Sequence, residues 1–339
     1  MFSKIVLIST RKSKLTLGKP VSFQWKTAGR MTQAGKEKDR WVRRLDRLTR
    51  TATGGRLRRL VSHPGRYLLA MAWQFLVFPL CRIGLPVSRT MFFGQRLKVL
   101  LPAGTDLYLL GGKSHDSEIR LARFLLETLR PGQRFLDIGA HYGYFSALAA
   151  RIVGPEGHVL AMEATPQTFV VLKDNLQRIP GAEARHVALA DEVGEMTFYT
   201  FPVRYSEYNT LDVTPYEDED WFADYPPVEV RIQTTTLDRI LPEYQPDLMK
   251  IDVEGAEHWV IRGGVQALAS HHPPVVMEYL DAATSGGGHQ EADQLLRSLG
   301  YCPYRIDAGG QLHACPDIEG HLQKAGLSSD NLVYQYQAG

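Results

Sequence analysis

Residues 135–150, FLDIGAHYGYFSALAA, read as a buried strand that enters a glycine turn and leaves it as a helix. Phe135 to Ile138 is a short apolar run of the kind that fills a parallel sheet, and Phe145, Leu148 and Ile152 recur at helical spacing. A side chain at Gly139 would restrict the turn and fill the space that a ligand needs beside the strand end. The spacing narrows the choice of ligand. A dinucleotide fingerprint is G-x-G-x-x-G, with pyrophosphate on the amides of the helix N-terminus, whereas this chain has D-x-G-x-x-x-G. Asp137 repels a pyrophosphate and suits the ammonium and sulfonium charges of S-adenosylmethionine.

The next elements keep the same rhythm. Gly157 to Glu163 predicts a second strand ending in an acid suited to ribose hydroxyls. Thr165 and Pro166 then start a helix with Phe169, Leu172 and Leu176 on one face. ARHVALADEVG, residues 184–194, predicts a third strand and an acidic turn. Strands alternating with helices imply a doubly wound parallel sheet whose ligands lie beyond the carboxyl ends of the strands. Asp137, Glu163 and Asp191 all fall at such ends. Farther on, DLMKIDVEGAEHWVIRGG, residues 247–264, predicts a fourth strand from Leu248 to Val253 and a returning helix from Glu257.

The succession DIGAHYG, MEA, ALADEVG, TTTLD, KIDVEGAE and PPVVMEY resembles the FkbM-type family of S-adenosylmethionine-dependent methyltransferases over roughly residues 110–280. KIDVEGAE is the most specific of these motifs. His141 departs from the pattern, since members of the family usually carry Asn there. The resemblance implies an α/β, Rossmann-like, seven-stranded sheet, mostly parallel with the last strand antiparallel, and methyl transfer to a hydroxyl of a sugar, glycolipid or natural product. It places Asp137, Gly139, His141 and Gly143 at the methionine end of S-adenosylmethionine, Glu163 at the ribose and Asp191 or its neighbour at the adenine edge. Asp252 and Glu254 then face the methyl group. Related sugar methyltransferases hold a divalent cation at such strand ends, which here points to Mg²⁺ on Asp252 and Glu278.

A hydroxyl is a poor nucleophile at neutral pH, so either a side chain accepts its proton or a metal lowers its pKa. Asp252 and Glu254 suit the first route and Asp252 with Glu278 the second. His258 is a further candidate base, and Lys250, inside a strand, reads as a paired side chain. For the acceptor, residues 201–230 lack periodicity and concentrate aromatics with acids. Tyr205, Tyr208, Tyr216, Trp221 and Tyr225 form either a lid that stacks on a sugar or a surface insertion held by its own rings. His115, Asp116 and Glu118 either start a helix or face the acceptor.

Charge divides the chain. Residues 1–66 hold 18 Lys or Arg against 3 acids, a balance of +15, which leaves −13 for the remainder of a chain whose net charge is +2. Residues 1–30 read as a disordered leader or a wrongly chosen start, and residues 31–90 as a basic, amphipathic helical extension before a methyltransferase domain at 91–339. Trp41, Leu45, Leu48, Leu57, Leu60 and Val61 alternate with arginines. The run YLLAMAWQFLVFPL, Tyr67 to Leu80, is too short to span a bilayer comfortably. These features lead to two expectations for a cytoplasmic protein: an anionic membrane surface, at the inner membrane face, as partner of residues 31–85, or a Tyr67–Leu80 helix packed against the domain. No recognised nucleic-acid module accompanies the charge. Cys81, Cys302 and Cys315 lack C-x-x-C spacing, which fits a reducing compartment without zinc.

Around the core motifs, Leu97–Leu101 and Asp106–Leu110 predict a β-hairpin across Pro102 to Thr105. Asp293 to Leu299 predicts a helix, with Tyr301 to Ile306 and Leu332 to Tyr336 as closing strands. Two other classes share parts of this pattern. A dinucleotide-dependent oxidoreductase needs the tighter glycine spacing, and a noncatalytic membrane-associated module does not need Asp137, Glu163 and Asp252.

Overall fold

The computed structural model describes residues 33–54, 60–210, 213–282 and 287–337. The expectations for residues 1–30 and for Leu57 lie outside them. The described chain opens with α1 (Gln33–Ala52), then α2 (Pro64–Ala72), which runs through a π turn at Trp73–Val77 into α3 (Phe78–Cys81). Strands β1 (Leu85–Thr90) and β2 (Arg96–Leu101) pair antiparallel from Leu85↔Leu101 to Thr90↔Arg96. Next come α4 (Thr105–Leu110) and α5 (Asp116–Thr128).

The predicted hairpin is thus corrected: β2 pairs backward with β1, and Asp106–Leu110 is helical. The Asp106 carboxylate accepts hydrogen bonds from the Leu107 and Ser114 amides, occupying donors that a strand would turn to a neighbour. Residues 85–90, read as part of a helical extension, are likewise a strand.

From there the alternation holds. β3 (Arg134–Ile138) leads to α6 (Tyr144–Val153), β4 (His158–Glu163) to α7 (Pro166–Leu176) and β5 (Ala182–His186). The third predicted strand breaks after His186. The chain leaves the main sheet for β6 (Ala188–Leu189), which joins β7 (Gly194–Thr200) and β8 (Val228–Thr235) in a separate sheet ordered β6-β8-β7. β7 and β8 pair antiparallel from Gly194↔Thr234 to Thr200↔Val228, so the aromatic segment at 201–227 is the connection of a hairpin. Then follow α8 (Leu237–Tyr244), β9 (Leu248–Ile251), α9 (Glu257–Arg262), α10 (Val265–His271) and β10 (Val275–Leu280). α11 (Gly288–Ser298), β11 (Tyr301–Ile306), β12 (Leu312–Ala314), α12 (Ile318–Ala325) and β13 (Ser329–Tyr336) complete the chain.

The main sheet has the order β12-β11-β13-β10-β9-β3-β4-β5. Pairs from β5 through β10 are parallel, and β13 runs antiparallel to both β10 and β11. This is the expected methyltransferase sheet, enlarged by the short edge strand β12, which pairs with β11. Lateral travel reverses between β3 and β9, the switch point outside which open α/β sheets bind ligands.

Alternation along β3 sends Phe135 to one face of the sheet and Leu136 to the other. The first face packs on α5, α6 and α7 and also receives α1, whose Trp41, Leu45 and Leu48 are buried. The membrane role expected for this stripe is therefore corrected. Burial of each large apolar side chain is worth about 1.5–3 kcal/mol, and here the protein itself provides the cover. Ion pairs Lys38–Glu127 and Arg151–Glu37, both 2.8 Å, and Arg123–Asp46 fasten the polar flank of α1. The α2–α3 segment differs, because Ala70 and Phe78 are buried but Leu68, Leu69, Phe75, Leu76 and Leu80 are exposed. Among the described residues, no helix is long and apolar enough to cross a membrane.

Candidate active site

A cavity of about 660 Å³ lies beyond the carboxyl ends of β3, β4, β9 and β10. Its floor is the turn after β3. Gly139 has φ +76°, and a Cβ there would lie 1.8 Å from the carbonyl oxygen of Asp252, so the backbones of two neighbouring strand ends touch where only glycine fits. The amides of Gly139 and Ala140 both donate to the Met162 carbonyl at 3.0 Å, which locks the turn to β4. His141 follows at φ +50°, an uncommon conformation for a side-chain-bearing residue and one that clusters at functional sites.

Glu163 lines the cavity at the end of β4. Its two oxygens accept the amides of His141 (2.8 Å) and Thr165 (2.9 Å), and burial raises its pKa. Each oxygen keeps lone-pair capacity for a ligand hydroxyl. The His141 ring lies 3.2 Å from the Ser206 hydroxyl, and burial, reinforced by Lys113, drives its pKa down to about 3. The imidazole is neutral over the physiological range.

Asp137 and Gly143 serve the cavity from behind and do not line it. Asp137 is 1% exposed; one carboxylate oxygen accepts from the Ser146 hydroxyl, and the other has no hydrogen bond but lies 3.8 Å from the Lys250 ammonium. Gly143 caps α6 at φ +80°, and a Cβ there would meet Leu172 at 2.7 Å. Asp191 is exposed and away from the cavity, where Val187, Ala188 and Leu189 form the wall. The expectation that it edges the ligand is corrected by the departure of the chain into the small sheet before that residue.

At the ends of β9 and β10, Asp252, Glu254 and Glu278 place carboxylate oxygens within 4.8 Å of one another. Burial opposes ionisation of Asp252, but the Lys250 ammonium, 2.8 Å away, outweighs it and holds the pKa below the usual carboxylate range. Burial and the Asp252 charge push Glu278 up to about 8 and raise Glu254 as well. Glu254 sits at φ +56°. The loop owes its shape to Glu257, fully buried, whose carboxylate accepts the amides of Val253 (2.9 Å) and Gly255 (3.0 Å). The last acid of KIDVEGAE thus positions the two before it.

On the far wall, His115, Ser117 and Glu118 come from the start of α5, whereas Asp116 turns outward to Arg120. Lys113 bridges Glu118 (2.8 Å) and Glu207 (3.6 Å). Lys113, Asp106, Glu207 and Asn331 line the cavity without having been picked from the sequence. They come from distant segments, and nothing local in the sequence marked them. His258 is not among the lining residues. The aromatic insertion is bound mainly to itself: Trp221 stacks on Tyr205 at 4.2 Å and on Tyr208 at 5.3 Å, while Phe201 meets Trp221 edge-on. Tyr208 is its ring in the cavity wall.

Residues 137–303, which carry Asp137 through the β10 acids, match the family model described as Methyltransferase FkbM domain. This segment is an FkbM methyltransferase domain. Curated relatives include a protein-L-isoaspartate O-methyltransferase of Methanothrix thermoacetophila, 30% identical over 104 residues that make up 30% of this chain and 48% of that protein. An arsenite methyltransferase of Halobacterium salinarum is 32% identical over 72 residues, 19% of this chain and 18% of that protein. The chain spans about half the length, or less, of these relatives. A solved FkbM methyltransferase of Methylobacillus flagellatus shares 15% identity at a TM-score of 0.36, over 69% of this chain and 53% of that one. The architecture of the FkbM domain here stands on its own strand order and register.

Proposed function

We propose that this protein is an S-adenosylmethionine-dependent methyltransferase acting on a hydroxyl of an acceptor held in the 660 Å³ cavity. The observation that carries this reading is the contact of bare Gly139 with Asp252, flanked by Glu163 on one side and the Glu254–Glu278 acids on the other. The residues fit the nucleoside. Gly139 leaves backbone exposed, Glu163 offers lone pairs to ribose hydroxyls, and the β9–β10 acids suit a cationic centre.

S-adenosylmethionine, when bound, supplies an electrophilic methyl on sulfur. The chain contributes alignment, which provides much of the acceleration of an in-line transfer, and a destination for the hydroxyl proton. Asp252, held ionised by Lys250, is the fixed charge of the trio. Glu278, raised to about 8 by burial and by that charge, is matched to taking a proton near neutral pH, and Glu254 is raised in the same direction. A second reading places a divalent cation on the same trio, favoured by three carboxylates whose mutual repulsion a hard cation relieves.

Isothermal titration with S-adenosylhomocysteine and with NAD tests the reading: uptake of the first alone supports it, and uptake of NAD alone overturns it. Asp252→Asn should keep nucleoside affinity within about threefold while turnover with a labelled methyl donor falls by roughly 10²-fold or more.

A further inference from the structure

The helix from Pro64 to Cys81 has two unlike faces. Inward, Ala70 and Phe78 are buried, Gln74 lines the wall of the catalytic cavity, and Phe78 stacks on Tyr225 of the aromatic insertion at 6.4 Å. Outward, Leu68, Leu69, Ala72, Phe75, Leu76, Pro79, Leu80 and Ile83 are all exposed, several of them strongly: Leu76 67%, Leu80 87%, Ile83 66%. Their spacing of three and four residues makes one continuous apolar stripe. Soluble proteins rarely leave such a stripe to water, and one rimmed by polar residues marks an interaction surface.

Charge selects the occupant. Arg66 and Arg82 stand at the two ends of the stripe, and Arg56, Arg58 and Arg59 precede it in a segment of balance +15, whereas the remainder of the chain carries −13. An anionic surface attracts the arginine-flanked end and repels the body, which orients the molecule with this helix against that surface. A short apolar face between cations has the composition of an interfacial helix lying in the headgroup region.

We propose that this face docks on an anionic lipid bilayer and that the acceptor is an amphiphile whose hydroxyl head enters the cavity from that bilayer. The second half of the proposal rests on reading the cavity as a methyl-transfer site. The geometry supporting it is that one helix presents the stripe on its outer side and Gln74 to the cavity on its inner side. Leu109 clusters with Ala70 of this helix and lines the cavity together with Leu110 and Ala103, while Asp252, Glu254 and Glu278 line it at the strand ends. Apolar side chains and acids lining one cavity suit a molecule with an apolar tail and a hydroxylated head.

The test is flotation of the full chain with vesicles of phosphatidylglycerol and phosphatidylcholine and with phosphatidylcholine alone, for wild type and for Leu69→Glu/Leu76→Glu. Both positions are exposed, and unchanged Tm and unchanged S-adenosylhomocysteine affinity will show that the variant is folded. Wild type should float with the anionic vesicles, less so in high salt, and the variant should lose on the order of tenfold in bound fraction. No flotation of wild type, or equal flotation of the variant, overturns the docking. So does a wild-type dimer that the substitutions split while neither form floats, because the stripe then serves a second copy. With a labelled methyl donor and a membrane extract, label should enter the organic phase. Label in the aqueous phase alone overturns the amphiphilic acceptor, and label in neither phase, with no S-adenosylhomocysteine uptake, defeats the methyl-transfer reading while leaving the docking result standing.

Discussion

A Cβ atom on Gly139 would lie 1.8 Å from the carbonyl oxygen of Asp252, a separation that no side chain tolerates. Gly139 and Asp252 directly follow the central strands β3 and β9, and their amides are hydrogen-bonded to Met162 and Ile138, so neither yields easily. Gly139→Ala therefore forces β3 and β9 apart at their carboxyl ends, besides incurring about 1 kcal/mol for alanine at positive φ. Gly132→Ala is the control, since that glycine also has positive φ (+85°) but nothing within 4 Å of its Cβ. We expect Gly139→Ala to lower Tm by several degrees more than Gly132→Ala, roughly 2–4 °C for each added kcal/mol, and to abolish nucleoside uptake. Equal losses for the two variants would show that the strand ends are not in contact.

Lys250 and Asp137 are partners in the parallel register of β9 and β3, and the same ammonium reaches Asp252 at 2.8 Å. One buried cation thus serves two acids. Burial opposes its charge, and the two carboxylates more than restore it. Lys250→Met leaves both acids unpaired and should cost about 3–5 kcal/mol in denaturant unfolding at neutral pH. Lys250→Met/Asp137→Asn should recover part of that loss, because the deeper acid no longer needs a counter-charge. No recovery in the double variant would mean that Lys250 acts by packing on Phe145, whose ring lies 5.5 Å from its ammonium.

His141 contributes to Glu163 through its backbone amide, and its ring is kept neutral far below physiological pH. Asparagine adopts positive φ more readily than most residues and retains the amide. His141→Asn should therefore preserve S-adenosylhomocysteine affinity within about threefold, with the same pH profile between about 5 and 8 in both proteins. A wild-type affinity that changes through that range and flattens in the variant would assign the imidazole a titrating role.

The acids at the ends of β9 and β10 repel one another, so a divalent cation bound there should stabilise the fold by mass action. Mg²⁺ titrated into the protein should raise Tm, and Glu254→Gln or Glu278→Gln should remove most of the increase. An equal rise in wild type and both variants would place any ion elsewhere.

The central strands were legible because residues 135–138 and 248–251 are buried and read as short apolar runs, each interrupted by a single charge, Asp137 and Lys250. The same property misled at the edges. ARHVALADEVG reads as one strand, yet only its first residues hydrogen-bond to β4 before the chain turns into the small sheet, which removes Asp191 from the cavity. Trp41, Leu45 and Leu48 were identified as an apolar helical face, but periodicity does not say whether lipid or protein covers such a face. The cavity acids were legible at the strand ends, where topology fixes their place. Lys113, Asp106 and Asn331 were not, because they meet only through the packing of α4, α5 and β13, and nothing local records that meeting.

Asp106 gives the fold a pH dependence whose sign follows from its surroundings. Burial pushes its pKa from an ordinary 3.8 up to about 7, with Lys113 opposing and Glu118 and Glu207 adding to the rise. The folded protein thus binds a proton between those values that the unfolded chain has released. Stability tied to this group is fully present below pH 3.8, declines as pH rises and is gone above about 7. Asp106→Asn removes the titration while keeping an acceptor for the Leu107 amide, which now donates to the carboxylate at 2.6 Å. Between pH 5 and 7.5 the wild-type Tm should fall relative to the variant by a few degrees, on the order of 1–2 kcal/mol once partial exposure is allowed for. Parallel Tm profiles would show that Lys113 keeps Asp106 ionised in the folded state, and the bridge from Lys113 to Glu118 and Glu207 would then be the weaker part of that cluster.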